Sequence, residues 1–354
     1  MKKLEDTLSL CEHCYRHVPA VRFLRDGQIW LGKTCKHHGY SEYLVEPDGE
    51  FYLGYNYTRK ALGSYLIDIT NRCNLNCPNC YQEPDNLSKD LPINYYLDIV
   101  KTWPDDGYPM ALCGAEPTVR KDLPEFIEAL NALPGKRRDI MILTNGVNLF
   151  NYDYTAQFKK FDNVMWTIGL NHPDYQGRTV RQKQMEGIAY CKELGLKIKN
   201  VSYTLETLDQ MEYCLEEIQE FGLDICQQYR VRCGADIGRY PGGPKIFMSD
   251  LLKEAKRIAE KNNWTLGVDM GAGNRAHYPL IINGILVKII QWPDVRTLDL
   301  LEVQTEAIAD ILPGKPRSPL VHQVILRDAF INKHLNLWDT IPQEYIDNYG
   351  HKRN

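Results

Sequence analysis

Between about residues 63 and 262, short β-rich runs alternate with amphipathic stretches six times, and this rhythm restricts the possible folds more than any other feature. The β-rich runs are SYLIDIT (64–70), YPMALC (108–113), DIMILT (139–144), NVMWTIGL (163–170), IKNVSYT (198–204) and QQYRVRC (227–233). Each is rich in Val, Ile, Tyr or Thr, or almost wholly apolar, as strands buried on both faces should be. Helical stretches at 93–103, 122–133, 151–160, 179–195, 207–222 and 249–262 separate and follow them. In DLPEFIEALNAL, Leu123, Phe126, Ile127 and Leu130 recur at helical spacing, with Asp122 placed as N-cap ahead of Pro124. Six β-then-α units in succession predict an α/β fold: a parallel sheet with right-handed crossovers, curled into a full or partial (β/α)6 barrel.

The flanks break this rhythm. Residues 1–62 carry a cysteine group, an Asp26-Gly27 turn between RFLR and QIWLG, and a polar junction near PDGE. That combination predicts a small β-rich module. Beyond about residue 263 the alternation fades, and PGGP (241–244), NG (283–284) and PGKP (313–316) suggest turns between short strands and a closing segment. The expected division is therefore a metal module at 1–62, a barrel at 63–262 and an extension closing the barrel at 263–354.

With 354 residues the chain can bury a sizeable core, and its net charge of -4 provides no global basic field for nucleic acid or anionic lipid. The start, MKKLEDTLSLCEHC, contains acids and lacks the apolar core of a signal peptide. No run approaches the ~18 apolar residues of a membrane span. A cytoplasmic setting, where thiols stay reduced, is the expectation. Six of the eleven cysteines fall in two tight groups, Cys11/Cys14/Cys35 and Cys73/Cys77/Cys80. In a reducing compartment such groups read as metal ligands rather than disulfides.

Cys73, Cys77 and Cys80 form a C-x3-C-x2-C loop just past the first strand, and active sites of parallel α/β sheets gather at that carboxyl end. Three thiolates can hold three irons of a [4Fe–4S] cube, leaving the fourth open to a ligand with its own amine and carboxylate. Cys113-Gly114-Ala115-Glu116-Pro117-Thr118 follows the second strand, and Thr144-Asn145-Gly146 follows the third. Asn171 closes the fourth. Together these motifs resemble the radical SAM superfamily.

The resemblance implies that S-adenosylmethionine (SAM) chelates the open iron and is cleaved reductively to a 5'-deoxyadenosyl radical that takes hydrogen from substrate. It places SAM against Tyr81, Gly114, Ala115, Glu116, Asn145 and Asn171. Glu116 and nearby backbone would receive the ammonium, and Tyr81 would meet the adenine through its backbone. The stretch 233–238 weakly matches a further adenine contact. Ala115 stands where the family has a second glycine, which requires an ordinary backbone conformation there. A reducing partner such as flavodoxin or ferredoxin is implied. The expected substrate is a small molecule, a lipid or a nucleotide-derived compound. Modification of a peptide side chain is the alternative, weakened by the lack of a cysteine-rich C-terminal extension. A non-enzymatic zinc-ribbon binder of nucleic acid is a third reading, which the acidic balance opposes. No catalytic side chain is singled out.

Cys11-x2-Cys14 and Cys35-x2-His38-Gly39 form two ligand pairs across a hairpin, a Cys3His set suited to structural zinc, with rubredoxin-like iron as the alternative and His37 as a possible substitute for His38. This module and the continuation Glu116-Pro117-Thr118-Val119-Arg120 resemble archaeal tetraether lipid synthases and methanogen pterin methylases. The scattered Cys191 and Cys214 lie in amphipathic helices and read as core residues.

Overall fold

All six expected strands form. The computed structural model describes residues 1–13, 17–54, 64–78, 80, 84, 86–87, 89–101, 103, 105, 107–135, 137–173, 177–234, 245–268, 277–291, 296–297 and 308–311. The chain divides into two compact units, one of Met1–Ala61 with Ser202–Glu306 and the other of Leu62–Val201 with Ala307–Asn354.

The first unit opens with an antiparallel meander of β1 (Lys2–Leu10), β2 (His17–Arg25), β3 (Gln28–Cys35) and β4 (Gly39–Glu46), in that spatial order. Arg25 pairs with Gln28, so β2 and β3 are joined by two residues alone. Both have positive φ, 52° at Asp26 and 77° at Gly27, the combination that matches the twist of a tight hairpin. A short helix that the sequence did not announce, α1 (Gly49–Gly54), follows β4. The Gly49 amide donates to the Gly27 carbonyl at 2.8 Å, and a Cβ at Gly49 would sit 2.4 Å from that oxygen, so this approach requires glycine.

In the second unit, β5 (Ser64–Asp68), β6 (Met110–Cys113), β7 (Ile140–Thr144) and β8 (Val164–Gly169) pair in parallel, one after another. The connecting helices are α2 (Ile93–Val100), α3 (Leu123–Asn131), α4 (Tyr152–Ala156) and α5 (Arg178–Glu193). Asp122 precedes α3 as expected, but its side chain makes no capping bond; Arg120 takes its carboxylate instead, at 2.9 and 2.7 Å. The forked pair is bidentate and ionised on both sides, where a cap would give the carboxylate a single backbone donor. A late strand, β14 (Ile308–Ile311), adds in parallel to the free side of β5.

Strand β9 (Lys197–Leu205) crosses from the second unit into the first. The first unit continues with α6 (Gln210–Ile225), β10 (Gln228–Cys233), α7 (Met248–Lys261), β11 (Leu266–Val268), β12 (His277–Ile282) and β13 (Ile285–Ile290). β13 runs parallel to β10 and antiparallel to β12. Asn283 and Gly284, with φ of 49° and 81°, turn β12 into β13. Tyr229, Val231, Leu280, Ile282, Val287 and Ile289 are fully buried, one apolar sheet face. On that face the Tyr229 hydroxyl donates to the Gly222 carbonyl of α6 at 2.6 Å.

Within this unit the N-terminal sheet is tied to α7. The buried Glu46 accepts from Ser249 Oγ at 2.5 Å, from the Ser249 amide at 3.3 Å and from the Asp48 amide at 3.1 Å. Lys245 donates to the Leu44 carbonyl at 2.6 Å. Removing a buried charged acceptor strands its donors, so Glu46→Ala should cost about 1.5–3 kcal/mol in urea unfolding of the zinc-loaded chain. An unchanged midpoint would show that the sheet needs no such tie.

Candidate metal and cofactor site

The three-cysteine loop leaves β5 already stitched to the turn after β6. The Ile69 amide donates to the Cys113 carbonyl at 2.9 Å, Ala115 to Thr70 at 2.9 Å and Glu116 to Arg72 at 3.0 Å. Gly114 has φ of 125°, a conformation closed to most side chains, while Ala115 has no such requirement, as its side chain demands. Cys73, Cys77 and Cys80 are all half-buried. The Leu75 amide points at Cys73 Sγ from 3.3 Å, and the Cys80 amide donates to the Cys77 carbonyl at 3.3 Å. Burial pushes the Cys73 thiol up to about 12, with Glu116, Cys77 and Cys80 close enough to add to the shift. Three sulfurs therefore share one neighbourhood, and residues 68–92 offer no fourth cysteine or histidine. This donor set fits a [4Fe–4S] cube with one iron left open.

Glu116 lies beneath the loop, 1% exposed. Its Oε1 accepts from the Thr118 amide (3.1 Å), Thr118 Oγ1 (2.6 Å) and Thr144 Oγ1 (2.6 Å), and its Oε2 from the Asn145 amide (2.6 Å). Burial pushes this carboxyl up, and the Asn145, Thr118 and Thr144 donors oppose the shift. The carboxylate is thus fixed to the turns after β6 and β7, with three donors on Oε1 and one on Oε2. Asn145 closes the circle: its Nδ2 lies 2.7 Å from Asn74 Oδ1 and 3.8 Å from Cys73 Sγ. Asn171, at φ of 20°, is steadied by Arg181, which donates to the carbonyls of Leu170 at 2.7 Å and Asn171 at 3.3 Å. Tyr81 and residues 235–238 lie outside the described residues.

Sequence reading missed the side chains that close the neck of this loop. Arg120, 1% exposed, donates through Nη1 to the carbonyls of Ile69 (2.9 Å) and Leu91 (3.1 Å), which bracket the cysteine segment. Asp90 accepts from Thr70 Oγ1 at 2.6 Å and pairs with the Arg72 guanidinium. The signal was the Arg120 after Glu116-Pro117-Thr118-Val119, quoted for its resemblance but given no task. Arg120→Met leaves the carbonyls of Ile69 and Leu91 without this donor and should cost about 1–3 kcal/mol. It should also lower the iron retained after reconstitution. Full iron retention in a folded variant would separate Arg120 from the loop.

The N-terminal cysteines form a second, separate site. Cys11 Sγ and Cys35 Sγ lie 3.4 and 3.5 Å from His38 Nδ1, and all three ligand atoms are within 4.8 Å of one another. His38 and not His37 supplies the ring, while the His37 amide donates to Cys35 Sγ at 3.5 Å. That amide, with His38 and Cys11 beside it, holds the Cys35 thiol down to about 6. Cys14 lies outside the described residues. Soft sulfur and imidazole ligands converging at this spacing fit tetrahedral zinc. Cys35→Ser should release one zinc per chain by metal analysis and lower the unfolding temperature. A parent protein without zinc would refute the assignment.

Cys191 and Cys214 are fully buried in α5 and α6, the core positions expected of them. A cavity of about 360 Å³, lined by Trp103, Met110, Leu130, Arg138 and Ile140 among others, opens at the amino ends of β6 and β7, away from the cysteine loop. Among the described residues no helix is long and apolar enough to cross a membrane.

One unit holds a parallel α/β sheet with a three-thiol loop at its carboxyl end, and the other a Cys/Cys/His group suited to zinc. Residues 67–218 match the model of the radical SAM superfamily, and residues 3–47 match that of the HMPTM N-terminal zinc ribbon domain. The chain carries a radical SAM domain behind an N-terminal zinc ribbon. Such a domain implies a [4Fe–4S] cluster and SAM, and the ribbon with its Cys/Cys/His group supports zinc.

The 7,8-dihydro-6-hydroxymethylpterin dimethyltransferase of Methanocaldococcus jannaschii is 27% identical over 229 residues, covering 53% of this chain and 44% of that protein. The GTP 3',8-cyclase of Alkaliphilus oremlandii is 33% identical over 139 residues, covering 37% of this chain and 43% of its own. The chain spans about half the length of the curated relatives it matches. Among solved structures, Streptococcus suis SuiB bound to S-adenosylmethionine aligns at 15% identity and a TM-score of 0.45, covering 72% of this chain and 70% of that one.

Proposed function

We propose that this chain is a radical SAM enzyme that cleaves SAM reductively at a [4Fe–4S] cluster on Cys73, Cys77 and Cys80. It then abstracts hydrogen from a small-molecule, lipid or nucleotide-derived substrate. The observation that carries this is the convergence of three motifs at one end of the sheet. The cysteine loop, the Gly114–Thr118 turn and the Thr144–Gly146 turn are joined by the Ala115, Glu116 and Asn145 bonds. The relatives, a pterin dimethyltransferase and a GTP cyclase, support a heterocyclic or nucleotide-derived substrate.

Bound cluster and SAM supply one-electron cleavage of a sulfonium–carbon bond and a carbon radical at the 5' position. The protein's own part is to hold and orient. Gly114 lets backbone approach the methionine end of SAM, and Ala115 and Glu116 present backbone groups for the ammonium and carboxylate. The side chain of Glu116 fixes the Thr144–Gly146 turn, so Asn145 is steadied beside Cys73. Asn171 and the backbone of Tyr81 serve the ribose and adenine. Cys11, Cys14, Cys35 and His38 fill all four zinc positions, which suits a structural role. A reducing partner of the flavodoxin or ferredoxin kind and a cytoplasmic setting complete the proposal. The working division is a ribbon at 1–62, a radical SAM barrel at 63–262 and an extension at 263–354.

Anaerobic reconstitution with iron and sulfide, then reduction in the presence of SAM, should yield 5'-deoxyadenosine. Cys77→Ala should lose both the cluster absorbance and the 5'-deoxyadenosine while keeping its far-ultraviolet circular dichroism. Turnover persisting in that variant contradicts the assignment.

A further inference from the structure

The apolar face shared by β10, β12 and β13 has an opposite side with a different character. β10 reads QYRVRC, β12 reads HYPLII and β13 reads ILVKII, eighteen residues without one acid. Strand alternation puts Arg230 and Arg232 together on the face turned away from buried Tyr229 and Val231. Register then extends the row: Arg230 stands opposite Lys288, Lys288 opposite Pro279, and His277 opposite Ile290. Arg230, Arg232, Lys288 and His277 therefore occupy one sheet face in the first unit.

Arg230 is the anomaly. The side chain is half-buried, its Nε is buried without a hydrogen-bond partner, and among the described residues no carboxylate pairs with its guanidinium. Arg232 is fixed by its Nε, which donates to Thr204 Oγ1 at 2.9 Å. A partly desolvated cation without a counter-charge is costly, and neighbours of the same sign add to that. A fold does not collect such a group for stability, but it does for a ligand of opposite charge.

We propose that this face binds a phosphate-bearing ligand, with the half-buried Arg230 as its anchor and Arg232 and Lys288 completing the cradle. Residues two apart on a strand are separated by about 6.6 Å and adjacent strands by about 4.8 Å, so the three cations span one phosphate or diphosphate group. Two guanidinium forks give paired donors matched to phosphate oxygens, which a single-point carboxylate contact would leave half used. Burial, with Arg230 and Lys288 nearby, holds His277 down to about 4, so at neutral pH it is an uncharged donor or acceptor rather than a fourth cation. Burial also brings Arg230 down to about 10, which leaves it charged at neutral pH.

The inference stands independently of the cluster, so the zinc-loaded, iron-free full chain serves for the test, with pyrophosphate as probe at fixed ionic strength. The parent should bind one equivalent by titration calorimetry and melt higher with it. Arg230→Gln should weaken that binding at least tenfold and raise the melting temperature of the ligand-free protein, because it removes an uncompensated charge. A merely structural Arg230 predicts the opposite shift. Arg257→Gln, in the exposed pair with Glu212 and Glu254, controls for general charge and should leave pyrophosphate binding unchanged. No binding by the parent, undiminished binding by Arg230→Gln, or a lower ligand-free melting temperature overturns the proposal. Should Arg230→Gln not fold, Lys288→Gln reads the same site, and undiminished pyrophosphate binding there overturns it equally.

Discussion

The buried carboxylate of Glu116 is the constraint on which the cysteine loop depends. A carboxylate has about four acceptor positions, and here protein donors fill that number: two from Thr118, one from Thr144 and one from Asn145. Those donors belong to the turns after β6 and β7, while the Glu116 backbone amide reaches across to Arg72 in the loop after β5. Three consecutive strand ends are thus locked to one group. Desolvating a carboxylate is expensive unless every acceptor is satisfied. Because the network is satisfied only in one arrangement, it specifies the relative position of the turns rather than merely adding stability.

Arg120 does for the loop's neck what Glu116 does for its base. One guanidinium nitrogen gathers the carbonyls of Ile69 and Leu91, and the opposite edge is clamped by Asp122. The aromatic faces of Tyr96 and Phe126 lie 5.7 and 5.2 Å from the guanidinium carbon, giving the buried cation an apolar but polarisable wall. Tyr96 also donates to the Ile69 carbonyl at 3.2 Å. The segment between is thus gripped at both ends by one buried side chain. That suits a loop whose sulfurs must hold fixed positions around a metal group.

Much of this was legible in the sequence, for local reasons. The strands from SYLID to VMWTIG are apolar or β-branched because they are largely covered, and no longer-range information is needed to see it. Asp26-Gly27 and Asn283-Gly284 announce their hairpins because few other pairs tolerate two positive φ values in a row. Gly114 was similarly readable. What could not be read were the side-chain bonds, near or far. Asp122 has the local signature of a cap, yet Arg120, two residues away, takes its carboxylate. The bonds from Thr144 and Asn145 to Glu116 span nearly thirty residues and leave no local signature. The pairing of β14 with β5 across more than two hundred residues leaves no periodic trace. Tyr81 and Cys14 lie outside the described residues, so their expected contacts stay with the proposal.

The two cysteine groups differ in what surrounds them, and the difference follows from their coordination. The ribbon group is backed by a closed set of pairs: Lys33, almost fully buried, meets Glu12 at 2.8 Å, and the Tyr43 hydroxyl meets the same carboxylate at 2.5 Å. Burial alone would raise the Glu12 carboxyl, but the Lys33 and Tyr43 bonds override it and bring it down to about 2. A four-stranded sheet of some 45 residues buries little apolar area of its own, and the proposed zinc would supply the missing cohesion. The loop after β5 is the reverse case. Its strand is already held by a large parallel sheet, so its sulfurs need not supply cohesion. The proposed cluster can therefore keep a metal position open without endangering the fold.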